Sequence, residues 1–165
     1  MKTIQAAGRE IRIRNDLRPG DMGYVVYLHG ILYPDWGHAF EGYVAESLAE
    51  FAHGYDAQKD GLWIAERDGR IVGSIGIVGR PAAEAQLRWF LVHPDCRGLG
   101  LGRALLQKAL DFCRARGCTN VYLWTVSELE PAAHLYRSLG FRETERKTHP
   151  LWGRMRSEVR YDLAL

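Results

Sequence analysis

The spacing of apolar and polar positions along this chain changes period several times, and each change predicts an element. Arg9 to Arg14 alternates, with Ile11 and Ile13 on one side, which suits a first strand. Pro19-Gly20-Asp21 opens a helix with Asp21 as its cap. Tyr24, Val25, Leu28, Ile31 and Leu32 then recur at helical spacing up to about Tyr33. Tyr33 to His38 reads as an aromatic-rich loop. A second helix follows over about Ala39 to Ala52, with Phe40, Val44, Leu48 and Phe51 on one stripe. Leu62 to Arg67 and Arg70 to Val78 are strands joined at Asp68-Gly69, the strongest hairpin signal in the chain. Glu84 to Val92 is another strand, and Pro94 stops its pairing because proline has no N–H to give.

Beyond Pro94 a glycine-rich turn, Arg97 to Gly102, starts a helix that runs to about Arg116. Leu105, Leu106, Ala109, Phe112 and Cys113 form its buried side, and Gly117 ends it. Asn120 to Val126 is an aromatic and β-branched strand. Glu130-Pro131 begins a short helix that Gly140 ends. Phe141 to Arg146 and Ser157 to Leu163 are the last strands. Helices inserted among mostly adjacent strands predict an α/β protein with a mixed, mostly antiparallel sheet, about seven strands and about four helices, rather than a doubly wound parallel sheet.

Composition narrows the function classes. A chain of 165 residues is the usual size of one domain, expected over residues 1–165 with its core from about residue 10. The formal net charge is only +2, which speaks against a general nucleic-acid binder. Arg114, Arg116, Arg137, Arg142, Arg146 and Lys147 read as solvated surface charge. Cys96, Cys113 and Cys118 have no metal-ligand spacing and read as reduced thiols of a cytoplasmic protein. His29, His38, His53 and His134 make no zinc pattern, so no metal is expected. No run of apolar residues is long enough to span a membrane.

The most informative stretch is Leu91-Val92-His93-Pro94-Asp95-Cys96-Arg97-Gly98-Leu99-Gly100-Leu101-Gly102-Arg103. Glycines let backbone approach a ligand, and the free N–H groups and dipole at a helix start favour a phosphate. Arg97 and Arg103 supply charged partners for the same anion. A dinucleotide fingerprint would need glycine where Arg103 stands, and a Walker A loop would need Gly-Lys-Ser/Thr. Neither pattern is present.

Arg97-x-x-Gly100-x-Gly102 resembles the Q/R-x-x-G-x-G/A pyrophosphate motif of the GCN5-related N-acetyltransferase superfamily. Leu135-Tyr136-Arg137-Ser138-Leu139-Gly140-Phe141 is similar to that superfamily's L-Y-x-x-x-G-F signature, and the element order resembles it across about residues 10 to 165. Leu87 to Val92 and Leu123 to Thr125 resemble acetyltransferase domains fused behind MarR-type regulators. The resemblance implies the GNAT fold, with strands Glu84–Val92 and Asn120–Val126 splayed to hold the pantetheine arm of acetyl-CoA, the co-substrate. A backbone N–H near Leu91 or Val92 would face the thioester oxygen. The pyrophosphate would sit on Arg97, Gly98, Leu99, Gly100, Leu101, Gly102 and Arg103.

Acetyl transfer to an amine needs three things. The amine must be neutral although its free pKa is about 10.4. The developing oxyanion must be stabilised, and the thiolate must be helped to leave. Tyr136 matches the superfamily tyrosine aimed at the coenzyme sulfur and is the expected acid. A glutamate serves as base in some histone-acetylating relatives, but Gln86 stands at its position here. Glu84, two residues earlier on the same face, is the expected base, with Glu41 and Glu158 as rivals. Many relatives carry Asn where Leu129 stands, and Ser127 substitutes for it. Acceptor choice is expected from Tyr33 to Glu41 and from the loop His149 to Met155 (aromatics Tyr33, Trp36, Phe40 and Trp152). The expected acceptor is a small-molecule or peptide amine, with a homodimer in keeping with the resemblance, and with neither nucleic acid nor membrane as partner. A non-catalytic acetyl-CoA sensor and transfer of a longer acyl group are the competing readings.

Overall fold

The computed structural model describes residues 2–6 and 9–165. Met1, Ala7 and Gly8, within the stretch expected as one domain, lie outside the described residues. In chain order the elements are β1 Lys2–Ala6, β2 Arg9–Arg14, α1 Asp21–Leu32, α2 Gly37–Gly54, β3 Gly61–Arg67, β4 Arg70–Arg80 and β5 Glu84–Val92. They continue with α3 Leu101–Ala115, β6 Asn120–Val126, α4 Glu130–Ser138, β7 Arg142–Leu151 and β8 Arg154–Ala164. One-turn 3-10 helices occupy Pro34–Trp36 and Pro94–Cys96. The strands form one sheet in the order β1-β2-β3-β4-β5-β6-β8-β7, and only the β5–β6 pair is parallel. This is the expected mixed α/β sheet, with one more strand than the pattern predicts. The extra strand, β1, pairs antiparallel to β2.

Alternation along the strands divides the core into two layers. On β3, Leu62 and Ile64 face α1 and α2, whereas Trp63 and Ala65 face the other side. The stripe Phe40, Val44, Leu48 and Phe51 of α2 closes the first layer with Val25 of α1. Leu105, Leu106, Ala109 and Cys113 of α3 close the second, together with Ala133 and Tyr136 of α4. The central strands are therefore covered on both faces, and β3 and β4 are buried along their middle residues.

The entry to α1 departs from the expected cap. Gly20 holds the cap position at φ 94° and no side chain caps the helix. Asp21 instead turns inward. Its carboxylate takes Arg14 Nη1 at 2.8 Å, Arg14 Nη2 at 2.7 Å and the Arg18 amide at 2.7 Å. Arg14 also donates from Nε to Glu66 at 2.8 Å. Burial opposes the charge on Asp21, but the Arg14 guanidinium outweighs it and holds the carboxyl below the usual range. The bidentate pair ties β2 to the start of α1.

The decisive feature is a bulge in β5. Gly76 of β4 pairs with Arg88 and Ser74 pairs with Leu91, so β5 carries one extra residue there. Trp89 takes it up at φ 46°, a left-handed conformation that disfavours bulky side chains. Two contacts hold it: the Ser74 hydroxyl donates to Trp89 O at 2.6 Å, and Trp89 Nε1 donates to Ser47 Oγ at 3.0 Å. The bulge reverses the alternation. Ala85 and Leu87 face α3, Trp89 faces α2, and Phe90 and Val92 pack on the α3 side again. On its other edge β5 pairs with β6 only over Glu84–Gln86 and Asn120–Tyr122. From Leu87 and Leu123 onward the two strands part.

The segment His149 to Met155, expected as a loop, is strand. β7 and β8 run on to a two-residue turn at Trp152-Gly153, with φ 47° and 84°. No apolar period marks it, because β7 is an outer strand, exposed at nearly every residue, and shows no alternation.

Gly76 is required by contact: a Cβ there would lie 2.4 Å from Trp89 Cε3. Gly76→Ala therefore displaces the indole and is expected to cost about 1–3 kcal/mol, the range of overpacked cores. Chemical denaturation measures this, and wild-type stability with an unchanged tryptophan emission spectrum would disprove the account of the bulge.

Candidate active site

The start of α3 is open. Gly98 and Gly100 have φ 72° and 78°, which glycine adopts without strain, and no side chain caps the helix. The first intrahelical bond comes from the Ala104 amide to Gly100 O at 3.0 Å, so the amides of Leu101, Gly102 and Arg103 have no helical acceptor. Arg97 is exposed beside this turn, its Nε donating to Val92 O at 3.2 Å. Arg103 is exposed and donates to Ser138 Oγ at 2.9 Å. Leu99 and Leu101 anchor the turn in the core. Gly102 also meets a packing constraint. A Cβ there would meet Leu135 Cδ2 at 3.1 Å and Phe90 Cζ at 3.4 Å, so this glycine lets α3 pack against α4 and β5.

The parted strands open a cleft of about 160 Å³ between β5 and β6, roofed by α1 and α2. Leu87 to Phe90 form one wall and Leu123 to Val126 the other. Leu91 is buried and Val92 half-buried at the end of the first wall, beside the α3 turn. Tyr136 rises from α4 into the cleft. Its ring packs at 5.9 Å from each of Phe90, Phe141 and Tyr161. Its hydroxyl makes no hydrogen bond with a described residue, although a buried tyrosine usually finds a partner. Burial, with the neighbouring Tyr33 and Tyr161 phenols, raises its pKa, so it stays protonated through the neutral range.

The expected base is elsewhere. Glu84 lies at the closed end of the wedge, opposite Asn120, whose Nδ2 donates to it at 3.2 Å. Arg160 Nη2 stands 4.0 Å from the same oxygen. Glu84 does not line the cleft and is not brought together with Tyr136. Glu41 is exposed on α2. Glu158 on β8 does line the cleft, and its Oε2 lies 2.5 Å from His149 Nε2. Ser127 is exposed just past β6, its amide bonded to Ser157 O at 2.9 Å.

The two segments expected to choose the acceptor meet. Tyr33 stacks on Trp36 at 4.5 Å, Trp36 on Trp152 at 5.0 Å, and Phe40 stands edge-on to Trp152 at 4.6 Å. This clasp closes one side of the cleft. Arg156 lies over Trp36, 5.1 Å from its ring centre, and pairs with Glu128. Two polar lining residues were given no role by the sequence pattern, His29 on α1 and Arg88 on β5, and Gln86, which stands at the relatives' glutamate position, lines the cleft beside Arg88. Apolar helix spacing treats His29 as core, so only its polar type could have marked it.

The model of the acetyltransferase (GNAT) family matches residues 25–141. The chain belongs to this family. It is 34% identical to N-acetyltransferase 8 of Rattus norvegicus over 118 residues, 66% of this chain and 53% of that protein. It is 38% identical to the mycothiol acetyltransferase of Cellulomonas flavigena over 94 residues, 51% of this chain and 27% of that protein. The chain thus spans about half or less of the curated relatives it matches. Among solved structures, a GNAT acetyltransferase of Staphylococcus aureus Mu50 superposes with a TM-score of 0.77 at 22% identity, covering 94% of this chain and 99% of that one. The Salmonella typhimurium protein yncA, solved with acetyl-CoA, superposes at 0.69 and 21% identity, covering 94% of each chain. These likenesses show the GNAT fold. Acetyl-CoA is the co-substrate of the family, and the residues present fit it: an uncapped helix start, two parted strands and a free phenol follow one another. Among the described residues no cluster could hold a metal ion, and no helix is long and apolar enough to cross a membrane.

The clasp depends on Trp152, half-buried in its turn. Trp152→Ala is expected to lose about 3 kcal/mol, the low end for a large aromatic. Amide exchange over Tyr33 to Phe40 should quicken in that variant while β3 and β4 stay protected. Unchanged exchange over Tyr33 to Phe40 would show that the clasp does not hold that segment.

Proposed function

We propose that the protein is an acetyl-CoA-dependent N-acetyltransferase that moves the acetyl group onto a primary amine of a small molecule or peptide by direct attack. One observation carries this reading. Tyr136, whose hydroxyl has no hydrogen bond with a described residue, lines a cleft between two parted strands, and Phe90 in the wall of that cleft packs against Gly102 at the uncapped start of α3.

Bound acetyl-CoA supplies the acyl group and a thiolate leaving group. In this reading the amides of the Gly98–Arg103 turn hold its pyrophosphate, with Arg97 and Arg103 as charged partners. The free edge of β5 at Leu91 and Val92 pairs with the pantetheine arm as it would with a peptide, and one of its amides meets the thioester oxygen. Ser127 at the end of β6 borders the same channel. Tyr136 gives its proton to sulfur as the C–S bond breaks. A phenol can do this for a thiolate only in a concerted, positioned transfer, since thiol pKa values near 8.5 lie below that of a phenol. Glu158 takes the place expected for Glu84 as the carboxylate that faces the acceptor, where it meets an ammonium on its way in. A cytoplasmic location and a homodimer formed through β7, the exposed outer strand, belong to this reading. So does the likeness to MarR-fused domains, which rests on sequence segments alone.

A screen of amino acids, polyamines, aminoglycosides and peptides with acetyl-CoA, reading thiol release, tests the activity. Release with any amine supports it. Tight acetyl-CoA binding with no release from any amine would favour a sensor instead. Arg97→Ala should weaken coenzyme A about tenfold by calorimetry, one charge-assisted contact of about 1.5 kcal/mol, and leave a pantetheine thioester unaffected. Equal losses for both ligands would make Arg97 structural. Tyr136→Phe keeps the ring packing, so melting and acetyl-CoA affinity should hold while kcat falls about 10²-fold. Wild-type turnover in that variant would remove Tyr136 as the acid.

A further inference from the structure

His29 is a buried polar group that the acetyl-transfer reading leaves unused. It sits on the inner side of α1 with 6% of its surface exposed, yet its ring lines the cleft. Nδ1 lies 2.7 Å from Val25 O, one turn back along the helix. A carbonyl only accepts, so Nδ1 carries the hydrogen and Nε2 keeps its lone pair. No described residue donates to Nε2. Tyr33 and Phe40 hold the ring in place, with centroids at 6.5 and 6.1 Å. The result is an imidazole of fixed tautomer and orientation with an open acceptor, in the cleft that Tyr136 of α4 also lines. No carboxylate on β5 or β6 serves there, since Glu84 lies at the closed end.

We propose that His29 is the general base of acetyl transfer, taking the proton from the attacking amine through Nε2. This rests on the acetyltransferase reading. As the N–C bond forms, the nitrogen becomes acidic and its proton passes to Nε2. As the C–S bond breaks, the Tyr136 hydroxyl proton passes to sulfur. Solvent returns the proton from His29 to the Tyr136 oxygen, so the net change is amine plus thioester to amide plus thiol.

The other charged or titratable side chains lining the cleft are Tyr33 just past α1, Tyr43 on α2, Arg88 on β5, Tyr136 on α4 and Glu158 on β8. Glu41 of α2 lies over Gly30, next to His29. Burial is the largest influence on His29 and holds its pKa below the ordinary value, against the opposing pull of the Val25 carbonyl. The ring is therefore neutral at pH 7 and loses its basic form only as pH falls through a value below the usual one of about 6.5.

The test compares His29→Asn and His29→Gln with wild type, using the amine that the screen finds best. Asparagine keeps a donor at the Nδ1 position for Val25 O and removes the ε acceptor. Glutamine restores an acceptor without basicity. Both variants should melt near wild type and bind acetyl-CoA equally by calorimetry. Both should lose about 10²-fold in kcat, and the wild-type acid limb of log kcat below pH 6.5 should vanish. Nitrogen NMR of the free wild-type protein should show Nδ1 protonated and Nε2 bare at pH 7. Wild-type kcat in either variant would overturn the proposal and leave the acetyltransferase reading standing. A ring protonated on Nε2 would overturn it without any variant. Failure of wild type to acetylate any amine of the screen would overturn both readings together.

Discussion

The separation of β5 from β6 is the constraint on which the rest of this structure depends. A parallel pair normally runs its full length, because every amide left unpaired in a buried strand costs free energy. Here pairing stops after Glu84–Gln86 and Asn120–Tyr122. The strands cannot close again because β5 has been turned by its bulge, with Trp89 wedged against Gly76 and tied to Ser74 and Ser47. Unpaired strand edges in the middle of a sheet are a liability unless something fills them. Phe90 and Val92, on β5 beyond the parting, lie against Gly102 at the open start of α3, so in the proposed reading one extended ligand with an anionic end satisfies both sets of free amides.

The remaining groups are arranged around that gap. Phe90, Phe141 and Tyr161 hold the Tyr136 ring on the α3–α4 side. The Tyr33–Trp36–Trp152 stack and Phe40 wall the α1–α2 side. Burial keeps the Tyr136 phenol protonated and the His29 ring neutral at neutral pH, the states that their proposed roles require. In the proposed reading the two faces of the sheet divide the chemistry, with coenzyme binding on one and the acceptor amine on the other.

Much of this was legible in the chain. Asp68-Gly69 marked its hairpin, with φ 52° and 74°. The Arg97–Gly102 pattern marked the turn, and the Leu135-Tyr136 pattern marked the tyrosine. What stayed hidden shares a cause. The bulge sits in the unbroken apolar run Trp89-Phe90-Leu91-Val92, where period carries no sign of a change of face. β7 is exposed on both faces, so it has no period either. Asp21 resembled a cap because its burial against Arg14 is a tertiary contact. Glu84 followed from spacing along one strand, but whether a residue faces the cleft or its closed end depends on where β6 leaves β5.

Amide hydrogen exchange with and without acetyl-CoA tests the central claim most directly. The account predicts new protection confined to Leu87–Val92, Leu123–Ser127 and the Gly98–Arg103 turn, with β2 and β3 unchanged. Protection that spared β5 and β6 while appearing elsewhere on the sheet would contradict it.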